Sequence, residues 1–220
     1  MNSLQILKIF LFIGLVSGER ENLLAQLENS SSVGRIEGKL TLKNRDEEDI
    51  PRSSAAQPYT LSEKAVVYIE TTGNKQHSQS AAKNSRLDQK EGMFRPLVLP
   101  IVVGSTVDFP NNDGVFHNVF SYSKSNKFDL GRYPKGETRQ NTFDTPGVVS
   151  VYCDIHAYMY ATILVLDNPF YASPDEDGNY VIDNVPPGTY QLAFWYGKEK
   201  VDSRAVIVSG GKVSVVDFVY

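Results

Sequence analysis

Val149 to Met159 reads VSVYCDIHAYM and holds the only cysteine of the 220-residue chain, Cys153. Val149, Val151 and Cys153 alternate with Ser150 and Tyr152, so the first three share one face of a strand that turns inward. Pro146-Gly147 marks the turn that opens this strand, and Tyr160 to Leu166 (YATILVL) reads as the next one. The intervening loop carries His156 three positions after Cys153 and Met159 three positions after His156. Thiolate, imidazole and thioether form a soft donor set that suits copper. A mononuclear electron-transfer copper site needs one further histidine. His117, in FHNVFSYS, is the candidate, delivered from the end of another strand.

Other chemistries compete for these residues. A lone buried cysteine is most often a small core side chain. Zinc also takes Cys and His, but its structural sites want four strong ligands and rarely a thioether. A nucleophile–base pair of Cys153 and a histidine leaves Met159 without a role. The chain has three histidines and three methionines, so both offsets from its one cysteine seldom arise by chance. His77 lies in a polar stretch without core-forming neighbours and is expected to be exposed and not a ligand.

FHNV followed downstream by CDIHAYM resembles the cupredoxin (plastocyanin/azurin-type blue copper) family, with the short ligand-loop spacing of its amicyanin branch. FRPLVLPIVVGSTVDFPNND, before His117, resembles that family's strand, Gly turn and second strand. The resemblance implies a Greek-key β-sandwich over residues 87–167. It implies His117, Cys153, His156 and Met159 as ligands of one type 1 copper, and Asn118 as the residue that ties the two ligand loops together beside the thiolate. It also implies that His156 is the edge nearest solvent, with Ile155, Ala157 and Tyr158 in a partner-docking patch. The family often has Pro after the second histidine; Ala157 stands here.

Composition points to an all-β class, rich in Val, Gly and aromatics, with no long helical periodicity after the N-terminus. A formal charge of −4 and the absence of a basic stripe argue against nucleic acid. One cysteine excludes an internal disulfide.

Lys8, the apolar run Ile9 to Val16 and the small residues Val16-Ser17-Gly18 read as a secretion signal over residues 1–18, with cleavage after Ala25 or an uncleaved anchor as alternatives. The rest is expected to be exported, to the periplasm or beyond. GRIEGKLTL (from Gly34) and AVVYIE (from Ala65) read as strands, Asn44 to Glu63 as a charged loop, and Thr71 to Arg86 as a linker. The acidic run Asp46 to Asp49 reads as a solvated loop, or less directly as a dock for a basic redox partner. Phe94 to Val103, Ser105 to Phe109 and Val115 to Tyr122 are expected strands, and Lys124 to Gly136 a polar connection. Tyr122, Phe128, Tyr133 and Tyr158 are candidates to pack round the site.

After Asn168 the character changes. DEDGNYVIDNVPPGTYQLAFW resembles the carboxypeptidase regulatory-like (transthyretin-like) β-sandwich family, and GRIEGKLTL and AVVYIE resemble that family's opening strands. This implies a discontinuous, smaller sandwich of residues 33–73 plus 168–220, with residues 87–167 inserted. The alternative gives the N-terminal strands to the copper sandwich. The combination resembles proteins grouped as methylamine-utilisation proteins. The expected function is an exported one-electron carrier with an unidentified redox partner, not an enzyme; multicopper oxidases and copper nitrite reductases need more histidines. Copper delivery without electron transfer, and partner or carbohydrate binding by the second sandwich through Phe194, Trp195 and Tyr196, are the alternatives. Bracing is the preferred role of that sandwich.

Overall fold

The computed structural model describes residues 33–43, 58–70 and 85–220. The expected signal segment, His77 and the acidic run lie outside them. In chain order the elements are β1 (Gly34–Thr41), α1 (Leu61–Lys64), β2 (Ala65–Ile69), β3 (Ser85–Arg86), β4 (Asp88–Lys90), β5 (Met93–Arg95) and β6 (Val98–Val102). There follow β7 (Ser105–Pro110), β8 (His117–Ser121), β9 (Phe128–Tyr133), β10 (Thr138–Phe143), β11 (Gly147–Tyr152) and β12 (Tyr160–Leu166). The remainder is β13 (Tyr171–Ala172), β14 (Asn179–Val185), β15 (Gly188–Tyr196), β16 (Glu199–Val208), β17 (Val213–Val215) and β18 (Phe218–Val219). Apart from the single turn α1, this is all-β. No helix among the described residues is long and apolar enough to cross a membrane.

Among the described residues four of five sheets stack with three apolar seams between them, and the fifth is the β4-β5 hairpin. The first has the order β14-β1-β17, with β18 also on β1; the second is β13-β2-β15-β16. Ile36, Leu40, Val67, Phe194 and Phe218 fill the seam between these two. The third sheet is β6-β12-β11-β8-β9 and the fourth β10-β7-β3, with Phe109, Phe143, Val149, Val151 and Ile163 between them. The middle seam joins the second and third sheets through Val66 and Trp195 on one side and Leu97, Val98, Tyr160, Leu164 and Leu166 on the other. Hence β12 is buried along its whole length. Ala161, Ile163 and Val165 face one seam and Tyr160, Leu164 and Leu166 the other, which is why it reads as an unbroken apolar run rather than an alternating one.

The N-terminal strands pair with C-terminal ones: β1 antiparallel with β14 and parallel with β17 and β18, β2 antiparallel with β13 and β15. Tight positions support this. Asp177-Gly178 forms the turn into β14, and Gly178 takes φ +86° where a β-carbon would lie 2.1 Å from the Leu40 carbonyl oxygen.

Several expectations are corrected. Phe94 to Val103 is not one strand. Pro96 has no N–H to donate to a ladder, and the chain changes partners there: β5 pairs with β4, while β6 runs parallel to β12. Lys124 to Gly136 contains β9, which pairs with β8 at the sheet edge. Its edge position leaves most of its residues partly exposed, so it lacks an apolar signature. The expected loop before Glu63 contains α1. Its Thr60-x-x-Glu63 start is a capping box, with the Glu63 carboxylate accepting from the Thr60 N–H at 2.9 Å. The tail after Lys212 forms the two short strands β17 and β18. Phe194, Trp195 and Tyr196 are all under 9% exposed, so they are core and offer no surface on which a sugar could stack.

Candidate metal centre

Cys153 follows β11, whose Tyr152 pairs with Phe120 of β8, and His117 is the first residue of β8. Adjacent antiparallel strands thus bring the two residues to the same end of the third sheet. The loop from Cys153 closes on itself when the Met159 N–H donates to the His156 carbonyl at 2.9 Å. Cys153 is 5% exposed, His117 is fully buried and His156 is half-buried. Met159 is 1% exposed and packs in the same seam as Cys153.

The Nδ1 atoms of His117 and His156 lie 3.1 Å apart, and the Cys153 Sγ lies 4.0 Å and 3.9 Å from them. Among the described residues these three form the one His/Cys/Asp/Glu group convergent enough to hold a metal ion. Bonds of about 2.0 Å to nitrogen and about 2.3 Å to sulfur are normal for such donors. A point close to all three distances lies between the atoms. The buried thioether of Met159 in the same seam suits copper, whereas structural zinc sites want four strong ligands.

Hydrogen bonds prepare each donor. The Asn118 N–H donates to Sγ at 3.5 Å. Burial pushes the Cys153 thiol up, but hydrogen bonds from His117 and from the Asn118, Ile155 and His156 amides outweigh it and bring the pKa down to about 6. The side chain of Asn118 spans the site: its Oδ1 accepts from the Asp154 N–H at 3.3 Å and its Nδ2 donates to Asp129 Oδ1 at 2.8 Å. It thereby pins the ligand loop to β8 and β9.

Asp113 had no role assigned from sequence. Its Oδ2 accepts from His117 Nε2 at 2.7 Å. This keeps a proton on Nε2 and turns Nδ1 toward Cys153 Sγ, where it donates when the ring is protonated and offers its lone pair to a metal when it is not. Asp113 is itself held by the hairpin between β4 and β5. Glu91 and Gly92 form its turn with φ of 58° and 69°, and their N–H groups donate to the two carboxylate oxygens at 2.6 and 2.8 Å. Burial pushes the Asp113 carboxyl up, yet these bonds and His117 hold it below its usual range; burial lowers the His117 pKa, yet Cys153 and Asp113 raise it overall. The signal available in sequence was a carboxylate four residues before His117. Asp113→Asn is expected to lower metal affinity roughly 10- to 100-fold, as loss of a carboxylate behind a ligand histidine does. Competition against a chromophoric chelator measures it, and an unchanged affinity contradicts the role.

Around the half-buried His156, Ile155, Ala157 and Tyr158 are exposed, and the Tyr158 ring sits 5.7 Å from the His156 ring. Val115 and Phe116, 52% and 56% exposed, lie just before β8 rather than within it and extend this apolar rim beside His117. Arg132 and Asp154 form an ion pair at 2.8 Å next to it. Of the other aromatic candidates, Tyr133 is buried opposite His117 in the β8–β9 register, and Phe128 packs on Phe109 and Phe143. Tyr122 is 71% exposed, with Lys127 over its ring, so it does not pack round the site.

No protein-family model and no curated protein matches the chain. Solved structures similar to part of it include a novel purple cupredoxin from Nitrosopumilus maritimus, at 26% identity and TM-score 0.34, covering 37% of this chain and 99% of that one. A point mutant of amicyanin, in its Cu(I) form, aligns at 19% identity and TM-score 0.36, covering 45% and 97%. A copper-containing nitrite reductase from Thermus scotoductus SA-01 aligns at 22% and 0.37, covering 57% of this chain and 28% of that one. The chemistry of the site rests on its donor set.

Proposed function

We propose that the chain is an exported, cupredoxin-like one-electron carrier that holds a single type 1 copper through His117, Cys153, His156 and Met159. In this reading residues 87–167 form the copper-binding unit, inserted in a β-sandwich made by residues 33–73 and 168–220. The observation that carries it is the convergence of two imidazole nitrogens and one sulfur to within 4.0 Å of one another, with a buried methionine in the same seam. Bound copper would supply one exchangeable electron by cycling between two oxidation states. The residues do the rest. Strands β8 and β11 fix His117 and Cys153, Asp113 and Asn118 fix their orientation, and the buried seam excludes water. Little of the site then has to move when charge changes. The half-buried edge of His156 is the path outward. A hydrolytic role for Cys153 leaves the second histidine beside the sulfur and the buried Met159 without a part.

Electron transfer is separated from copper delivery by titrating the protein with Cu(II) and recording voltammetry in the presence of a chelator. A carrier shows a reversible one-electron wave for one copper per chain and keeps its metal. A delivery protein surrenders the metal to the chelator on reduction.

The apolar rim is the surface proposed for a redox partner. Tyr158→Lys sets a charge at a position 37% exposed, beside the His156 ring. It is expected to slow electron transfer to the physiological partner at least about tenfold while leaving the copper spectrum unchanged. Stopped-flow kinetics with that partner reads this out, and an unchanged rate removes the patch from the account.

A further inference from the structure

Met159 closes the ligand loop, and the structure ties its neighbour Tyr160 to the opposite sandwich. Met159 faces inward to the seam of Cys153. Tyr160, the next residue, faces the middle seam with Trp195 and Val66. The Tyr160 hydroxyl lies 2.7 Å from Thr162 Oγ1, and the Thr162 hydroxyl donates to the Gly197 carbonyl at 3.4 Å. That carbonyl also accepts from the Trp195 indole N–H at 3.0 Å. Gly197 sits at the β15–β16 turn with φ +57°, its own N–H donating to the Lys64 carbonyl at 2.8 Å. Lys198 lies over the Tyr160 ring at 4.9 Å. Thr162 is completely buried, and its N–H donates to the Leu97 carbonyl at 2.8 Å. A buried chain of hydroxyls therefore runs from the residue after Met159 into the second sheet.

We propose that this Tyr160–Thr162–Gly197 clamp positions Met159 beside the His117–Cys153–His156 cluster, so that the second sandwich would tune a metal held there. The inference rests on the copper reading given above. Successive side chains of a strand point to opposite faces, so the depth at which Tyr160 is held on the outer face sets the depth of Met159 on the inner one. Burial on both sides leaves β12 little freedom to slide. Tyr160 and Thr162 are positioning residues and touch no metal.

The test uses the full chain loaded with Cu(II), comparing wild type, Thr162→Val, Thr162→Ser, Tyr160→Phe and Met159→Leu by visible absorption and electron paramagnetic resonance, with circular dichroism to establish folding. Thr162→Val leaves the Gly197 carbonyl its bond from Trp195 but takes from the buried Tyr160 hydroxyl its Thr162 partner. The expected result is a shift of the thiolate-to-copper absorption spectrum in Thr162→Val, in the direction that Met159→Leu shifts it further. Thr162→Ser restores the wild-type spectrum, and Tyr160→Phe shifts it alike. Should Thr162→Val fail to fold, Tyr160→Phe decides alone. Folded variants with wild-type absorption and wild-type resonance overturn the clamp and leave the copper reading standing. A wild-type protein with no intense thiolate band overturns both.

Discussion

Cys153→Ser is expected to lose the intense thiolate colour altogether and to bind Cu(II) at least about 100-fold more weakly, since loss of a direct ligand exceeds the effect of losing its supporting shell. The sulfur is where the site's charge is concentrated. Three backbone amides and His117 direct hydrogen bonds at it, and they hold the thiol near a pKa of about 6 against its burial. A serine hydroxyl accepts the same amide protons but does not ionise in this range, so the donor set loses its anion while the loop keeps its bonds. The apoprotein is accordingly expected to melt within a few degrees of wild type. Isothermal titration with Cu(II) and a thermal melt of the apoprotein check the two halves. A serine variant that keeps both affinity and colour would show that another group carries the metal.

Gly38→Val is expected to destabilise the fold by about 3 kcal/mol or more, which for a chain of this size lowers Tm on the order of 10 °C. Gly38 lies mid-way along β1, where the chain crosses from β17 to β18. Both strands run beside β1, the first against Arg35 to Glu37 and the second against Leu40 and Thr41. The crossing residues, Val216 and Asp217, lie directly over Gly38. The Val216 N–H donates to the Glu37 carbonyl at 2.9 Å, and Asp217 Oδ1 accepts from the Lys39 N–H at 2.7 Å. Tyr180 adds a hydroxyl bond to the Val216 carbonyl. A β-carbon at Gly38 would stand 1.7 Å from the Val216 carbonyl oxygen and 2.8 Å from the Tyr180 hydroxyl. The obstacle is backbone, so no rotamer change relieves it. Differential scanning calorimetry measures the effect, and a melting temperature equal to wild type would mean that the crossing does not lie over Gly38.

Much of the donor set could be read from the chain because it is local. Alternation through Val149, Val151 and Cys153 set the inward face, and the offsets to His156 and Met159 put both on one short loop. The Asp177-Gly178 turn and the runs GRIEGKLTL and AVVYIE were equally plain, since each strand carries its own pattern. What stayed hidden depends on contacts distant in sequence. Strand β9 sits on a sheet edge with most of its residues partly exposed, so its composition is that of a loop. Asp113 acquires its role from a hairpin turn at Glu91-Gly92 that has no marking of its own beyond one glycine. Phe194, Trp195 and Tyr196 fall consecutively in a strand, which suggests that one face is exposed. They are all buried because their sheet has another sheet on each side. Val115 and Phe116 looked like the start of a strand, and their exposure beside His117 follows from β8 beginning two residues later.

The most direct measurement is the visible absorption and electron paramagnetic resonance spectrum of the wild-type protein with one equivalent of Cu(II). An intense thiolate-to-copper charge-transfer band with narrow hyperfine splitting is the result expected of a trigonal His₂Cys centre with a weak axial methionine. A pale spectrum typical of ordinary tetragonal Cu(II), or tighter and colourless binding of zinc in competition, would contradict it.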